Sequence, residues 1–262
     1  MCSNNCSPEP STHNEVACVP MKLVFLHGFT QTAKSWEQVM STLPTDSVDE
    51  VRAVDLPGHG DNPHGNVSIC DMADALVAQY GTAVYVGYSF GARVALHIAT
   101  RHPEKVTGLV MVSGSPGIAD PNERHARAQA DDQLADHIES VAVPTFIDEW
   151  LANPLFIGLN TATAMRTDRL RNTTKGLADS LRHAGTGRQE SLWDYLSSVY
   201  CPTLLVTGEQ DAKFCDIATK MSGLLPNCRW VSVADAGHTV HLEQPTQFVH
   251  LLTSWLKSTY VV

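Results

Sequence analysis

Six short runs of apolar, mostly β-branched residues recur along the chain, at 21–27, 48–55, 83–88, 106–113, 201–208 and 229–235. Helical patterns over 34–42, 68–80 and 90–101 separate the first four. Near-continuous apolar runs of this length mark strands buried on both faces, and strands alternating with helices need crossover connections. The chain is thereby constrained to an α/β fold with a mostly parallel sheet flanked by helices. The alternation stops after the fourth strand: residues 115–198 carry helical segments and no convincing strand. One segment opens with Asp120 as N-cap, Pro121 at the first helical position and Glu123 where a capping box would place it. Another, over 171–184, ends at Gly185, a natural C-cap. A helical block between two strands reads as a lid over the carboxyl edge of the sheet, where open α/β sheets place their ligands. The expected organisation is a sheet core from 21–114 and 199–262 with a lid over 115–198. Residues 1–20 are polar and proline-bearing, without the basic and apolar regions of a secretory signal, and read as a disordered leader.

The third strand runs directly into Gly87-Tyr88-Ser89-Phe90-Gly91, after which a helix begins. A serine between two glycines at a strand-to-helix turn is the arrangement of a nucleophile elbow, which lifts the hydroxyl above the sheet. Alone the pattern is common. Its partners raise it: Asp211 follows the fifth strand and His238 the sixth. The order Ser, Asp, His is that of the α/β-hydrolase fold. A serine hydroxyl is a weak acid, so it needs an imidazole to take its proton and a carboxylate to orient that imidazole. After the first strand, "FLHGFT" brings Phe29 to the position whose backbone N–H, with that of Phe90, would form an oxyanion hole. His27 reads as a brace for that loop.

Other motifs fail on inspection. "DLPGHG" begins like a dinucleotide fingerprint, but Pro63 stands where the third glycine belongs. "GTGRQES" lacks the lysine of a phosphate loop. His238, His241 and Glu243 lie close together, yet the triad already accounts for His238, so neither a metal nor a cofactor is expected. Seven scattered cysteines without a CxxC pair favour reduced thiols in a cytoplasmic compartment. The net charge of −10 argues against a nucleic-acid partner, and no apolar run approaches the ~20 residues of a membrane helix. The sequence does not disclose oligomeric state, and a monomer is the default.

Arg93 stands four residues after Ser89 on the same helix. Helical side chains lean towards the N-terminus, so a long guanidinium there can reach the pocket floor beside the serine. Arg124, Arg127, Arg169 and Arg171 lie on helical segments of the lid, Arg124 and Arg127 on one face. Net acidity does not repel an anion from such a pocket. Distant charges are screened over ~8 Å, whereas a guanidinium at ~4 Å contributes about 4 kcal/mol at an effective dielectric of ~20.

"GYSFGAR", "SPGIADPNERHARAQAD", "WLANPLF", "LRNTTKGLADSLRHAGTG", "SLWDYL", "GEQDAKF" and "AGHTVHLEQP" together resemble the 2-succinyl-6-hydroxy-2,4-cyclohexadiene-1-carboxylate synthases, lyases of menaquinone and phylloquinone biosynthesis on the α/β-hydrolase scaffold. The resemblance runs over about 21–257. It implies Ser89, Asp211 and His238 as the triad, with Arg93, Arg127 and Arg171 binding substrate carboxylates and Tyr88 and Trp150 lining the pocket. It also implies a small-molecule tricarboxylate as the partner and elimination of pyruvate, with Ser89 as general base, as the reaction. Ala92 departs from many relatives of this fold, which carry a second glycine there. Two other readings stay open on the residues alone: a serine esterase or thioesterase, and a non-catalytic ligand-binding protein on the same scaffold.

Overall fold

The computed structural model describes residues 21–44 and 48–260; the leader, with Cys2, Cys6 and Cys18, lies outside them. Six strands form one sheet: β1 (Lys22–Leu26), β2 (Glu50–Val54), β3 (Ala83–Tyr88), β4 (Val106–Val112), β5 (Thr203–Gly208) and β6 (Cys228–Val233). Every neighbouring pair is parallel, in the order β2-β1-β3-β4-β5-β6. The chain leaves β1 for β2 on one side and returns for β3 on the other. That reversal opens a crevice beyond the carboxyl ends of β1 and β3, the usual ligand position in such sheets.

Successive strand residues face opposite sides, and both sides are apolar. Val24, Leu26 and Tyr85 pack with α2 (Ile69–Tyr80), α3 (Phe90–Arg101) and α8 (Ala212–Ser222) on one face. Leu23, Phe25, Val84 and Val86 pack with α1 (Glu37–Thr42) and α10 (Pro245–Tyr260) on the other. The central helix α3 is buried along ten of its twelve residues. Its Arg93 and His97 are therefore interior groups.

Between β4 and β5 the chain forms α4 (Pro121–Ser140), α5 (Val143–Leu151), α6 (Arg166–Arg169) and α7 (Thr174–Ala184). Asp120 caps α4 by accepting from the N–H groups of Asn122 and Glu123. Ala128, Asp131, Ala135 and Ile138 recur along α4 at helical spacing and face inward. Ala135 and Ile138 join Phe146 and Ile147 of α5 and Leu177, Ala178 and Leu181 of α7 in a small core of their own. Phe29 and Trp150 pack against it, so this helical block closes over the loop that follows β1. Among the described residues no helix is long and apolar enough to cross a membrane.

Candidate active site

Ser89 adopts φ 49°, ψ −103°, a conformation that L side chains rarely take, at the junction of β3 and α3. The neighbouring glycines permit it. A Cβ at position 87 would stand 2.3 Å from the Gly91 carbonyl oxygen, and one at position 91 would stand 2.1 Å from that of Leu26. The elbow thus needs glycine on both sides because backbone, which cannot move aside, fills the space.

His238 Nε2 lies 3.2 Å from Ser89 Oγ, and His238 Nδ1 lies 2.6 Å from Asp211 Oδ2. With Nδ1–H donating to the carboxylate, Nε2 is left to accept the serine proton. Asp211 ends the turn after β5 and also accepts from the Phe214 N–H as the N-cap of α8, so one side chain starts a helix and orients the imidazole. Ser113, at φ 48° after β4, donates 2.7 Å to the His238 carbonyl and fixes the histidine loop. The Phe214 ring lies 4.6 Å from the imidazole and shields it from one side.

The loop after β1 is organised by His27. Its Nε2 accepts from the Leu56 N–H at 2.9 Å, which leaves Nδ1–H to donate to the Gly28 carbonyl at 2.8 Å. Burial holds its pKa down to about 4, so it is a neutral brace. Gly28 approaches Tyr88 so closely that a Cβ would stand 2.4 Å from the ring. Among the described residues neither the Phe29 nor the Phe90 N–H has an acceptor within the protein, and both residues border the same cavity as Ser89. "DLPGHG" is a compact turn closed by Asp55, which accepts from the N–H groups of Ala33 and Asp61.

That cavity, of about 580 Å³, lies between the carboxyl edge of the sheet and the helical block. Tyr88, Ser89, Arg93, Arg127, Trp150 and His238 all contribute to its wall. Arg93 is buried, and its Nη1 donates to the Ala184 carbonyl (3.0 Å) and to Gln189 Oε1 (2.8 Å). Burial first, then the nearby Arg127, press its pKa downward, and an anion beside it would favour the charged form. Arg127 donates through Nε to Asp131 at 2.8 Å, and Asp131 also accepts from the Gly187 N–H. Tyr88 donates to or accepts from Thr239 at 3.1 Å, so its hydroxyl supports the histidine loop, and its ring packs against His238 and His241. Trp150 Nε1 is buried without a hydrogen-bond partner among the described residues.

Arg171 stands apart from these groups. Its guanidinium pairs with Asp61 at 2.7 Å and Asp168 at 3.2 Å, with Asp55 at 3.9 Å, and it does not border the cavity. Two of these carboxylates come from the turn after β2 and the third from α6. Arg169, its neighbour, is buried and donates to the Thr30 hydroxyl and the Ala164 carbonyl, again away from the cavity wall. Sequence reading missed Lys213. It stands two residues after Asp211 and borders the cavity, its ammonium 5.8 Å from the centre of the Phe214 ring. Its spacing from the triad aspartate was the available signal. Glu243, beside His238 and His241, accepts from the Gly237 and Thr239 N–H groups, and His241 stacks on Trp36. These groups brace the histidine loop.

A parallel sheet with a serine elbow, a histidine and an aspartate at successive strand ends defines an α/β hydrolase, and the chain belongs to the alpha/beta hydrolase family, whose model matches residues 23–251. Within it, the chain is similar to the 2-succinyl-6-hydroxy-2,4-cyclohexadiene-1-carboxylate synthase of Enterobacter sp. (strain 638), at 32% identity over 90% of this chain and 91% of that one. The structure of MenH from S. aureus superposes with TM-score 0.85 at 31% identity, covering 91% of this chain and 94% of that one. An esterase from Thermogutta terrifontis, at 21% identity and TM-score 0.79 over 92% and 91% of the two chains, shares the fold.

Proposed function

We infer that this chain is a carbon–oxygen lyase that eliminates pyruvate from 2-succinyl-5-enolpyruvyl-6-hydroxy-3-cyclohexene-1-carboxylate, giving 2-succinyl-6-hydroxy-2,4-cyclohexadiene-1-carboxylate. The names of its relatives support the activity. The observation that carries the reading to the residues is Arg93. It is a buried cation at the wall of the triad's cavity, with no carboxylate partner among the described residues. The substrate has three carboxylates and would supply that counter-charge, with Arg127 and Lys213 at other points of the wall.

In this reading His238 accepts the Ser89 hydroxyl proton, and the serine oxygen takes the proton from the ring carbon that bears the succinyl carbonyl. The electron pair moves onto the carbonyl oxygen, where the Phe29 and Phe90 N–H groups hold it. It then returns through the ring to expel the pyruvate enolate, which picks up a proton and leaves a conjugated diene. Asp211 stabilises the imidazolium throughout. No bond from carbon to Ser89 forms, which separates this route from ester hydrolysis. The free thiols of Cys70, Cys201, Cys215 and Cys228 fit a cytoplasmic location.

The test is incubation of the enolpyruvyl substrate with the protein, following pyruvate with lactate dehydrogenase and the diene by its ultraviolet absorbance. Equal release of both products is expected. An acyl group trapped on Ser89 from a simple ester, with no pyruvate from the enolpyruvyl compound, would replace the lyase reading with that of an esterase.

A further inference from the structure

Several arginines are neutralised by carboxylates: Arg101 by Asp74, Arg127 by Asp131, Arg171 by Asp61 and Asp168, Arg182 by Asp136 and Glu139. Arg93 is treated differently. Its two protein acceptors are a backbone carbonyl and a carboxamide, both neutral, and both engage the same nitrogen, Nη1. The Ala184 carbonyl belongs to the last residue of α7, where the helix dipole is negative and favours a cation without cancelling its charge. Nε and Nη2 make no hydrogen bond within the protein among the described residues. They form the side-on edge on which a guanidinium takes a carboxylate in bidentate fashion.

The glutamine is itself tightly placed. Gln189 is 1% exposed, and its Nε2 has no partner among the described residues. That nitrogen packs against Gly117, where a Cβ would come within 2.7 Å of it, and Gly117 sits at φ +97° on the cavity wall. Gln189 is therefore wedged between a glycine that admits it and the guanidinium that it orients. A glutamate has the same shape and would fit the same slot, but its charge would neutralise Arg93.

We propose that Gln189 is the positioning residue for carboxylate recognition. As a neutral acceptor it fixes Arg93 by Nη1 and leaves the cation's charge and its Nε/Nη2 edge to a ligand carboxylate. The proposal rests on the anionic-substrate reading above and extends it to the specificity of one subsite. A glutamate at 189 closes that subsite by an internal ion pair, and a methionine leaves the charge in place but releases its orientation.

Calorimetric titration of benzene-1,2,4-tricarboxylate into wild type, Gln189→Glu, Gln189→Met and Arg93→Ala at pH 8 tests this, with steady-state pyruvate release measured on the same proteins. Gln189→Glu is expected to weaken binding and raise KM at least tenfold, with kcat changed less than threefold. Gln189→Met should raise Kd and KM about threefold or more. Neither substitution should add a further loss in an Arg93→Ala background, because both act through that side chain. Unchanged binding by Gln189→Met, a full additional loss on top of Arg93→Ala, or no tricarboxylate binding by the wild type would each overturn the proposal. Should Gln189→Glu not fold, the methionine and double-variant arms decide it. Tricarboxylate binding that follows this pattern without any pyruvate release would uphold Gln189's role and overturn the lyase reading instead.

Discussion

At the scale of single residues, the site turns on groups held where they would not rest by themselves. Ser89 keeps a left-handed φ because Gly87 and Gly91 let backbone pass where side chains cannot. Asp211 keeps His238 in the tautomer whose Nε2 is free for the serine. Asp211→Asn should leave the fold intact and lower kcat by ~10³–10⁴, as loss of the correct tautomer does in other triads; stopped-assay pyruvate release measures it. Arg93→Ala should act differently, raising KM at least about tenfold, since a guanidinium at ~4 Å contributes several kcal/mol in a cavity of intermediate dielectric. The triad was legible because each member follows an apolar strand in the required chain order. The charged wall was legible only in part. "RLRN" carries two arginines, Arg169 and Arg171, and nothing in their spacing tells that Asp55, Asp61 and Asp168 converge on Arg171. Lys213 was overlooked because an exposed lysine in a helical first turn resembles many others.

At the scale of elements, the strands were read to within two residues because burial on both faces leaves a continuous apolar signal. α4 was marked by its cap, and α7 by its terminal glycine. α5 and α10 were not singled out: each carries a proline, Pro144 or Pro245, in its own first turn, and α5 lacks a side-chain cap. The joint between α4 and the turn after α7 was also invisible in sequence, as it depends on one buried acid. Asp131 ties Arg127 to the Gly187 N–H, and the turn packs so closely that a Cβ at position 187 would meet the Ala128 nitrogen at 2.2 Å. Asp131→Ala should cost about 1.5–3 kcal/mol, the range for hydrogen bonds to a charged group, and raise KM by freeing Arg127. Urea unfolding and steady-state kinetics on one preparation check both effects.

At the scale of the whole molecule, the interior is rich in neutral histidines. Burial holds His27 and His97 down to about 4 and His59 to about 3, and pushes His241 well below the ordinary imidazole range. Between pH 6.5 and about 4 the unfolded chain binds protons at these positions and the folded protein does not. Stability therefore falls as pH is lowered through that window, by up to about 1.4 kcal/mol per pH unit for each histidine. Denaturant titrations at pH 7, 6 and 5 should show the midpoint dropping at each step, and a flat profile would mean that these rings are charged in the folded state. The fold as a whole brings the carboxyl ends of β1, β3, β5 and β6 beneath a helical roof, and its purpose in this account is to set one oxygen under bound anions. The most direct test is kcat for pyruvate release by Ser89→Ala beside that of the wild type. A fall of at least ~10²-fold with tricarboxylate binding retained is expected; turnover within a fewfold of wild type would mean that Ser89 is not the base.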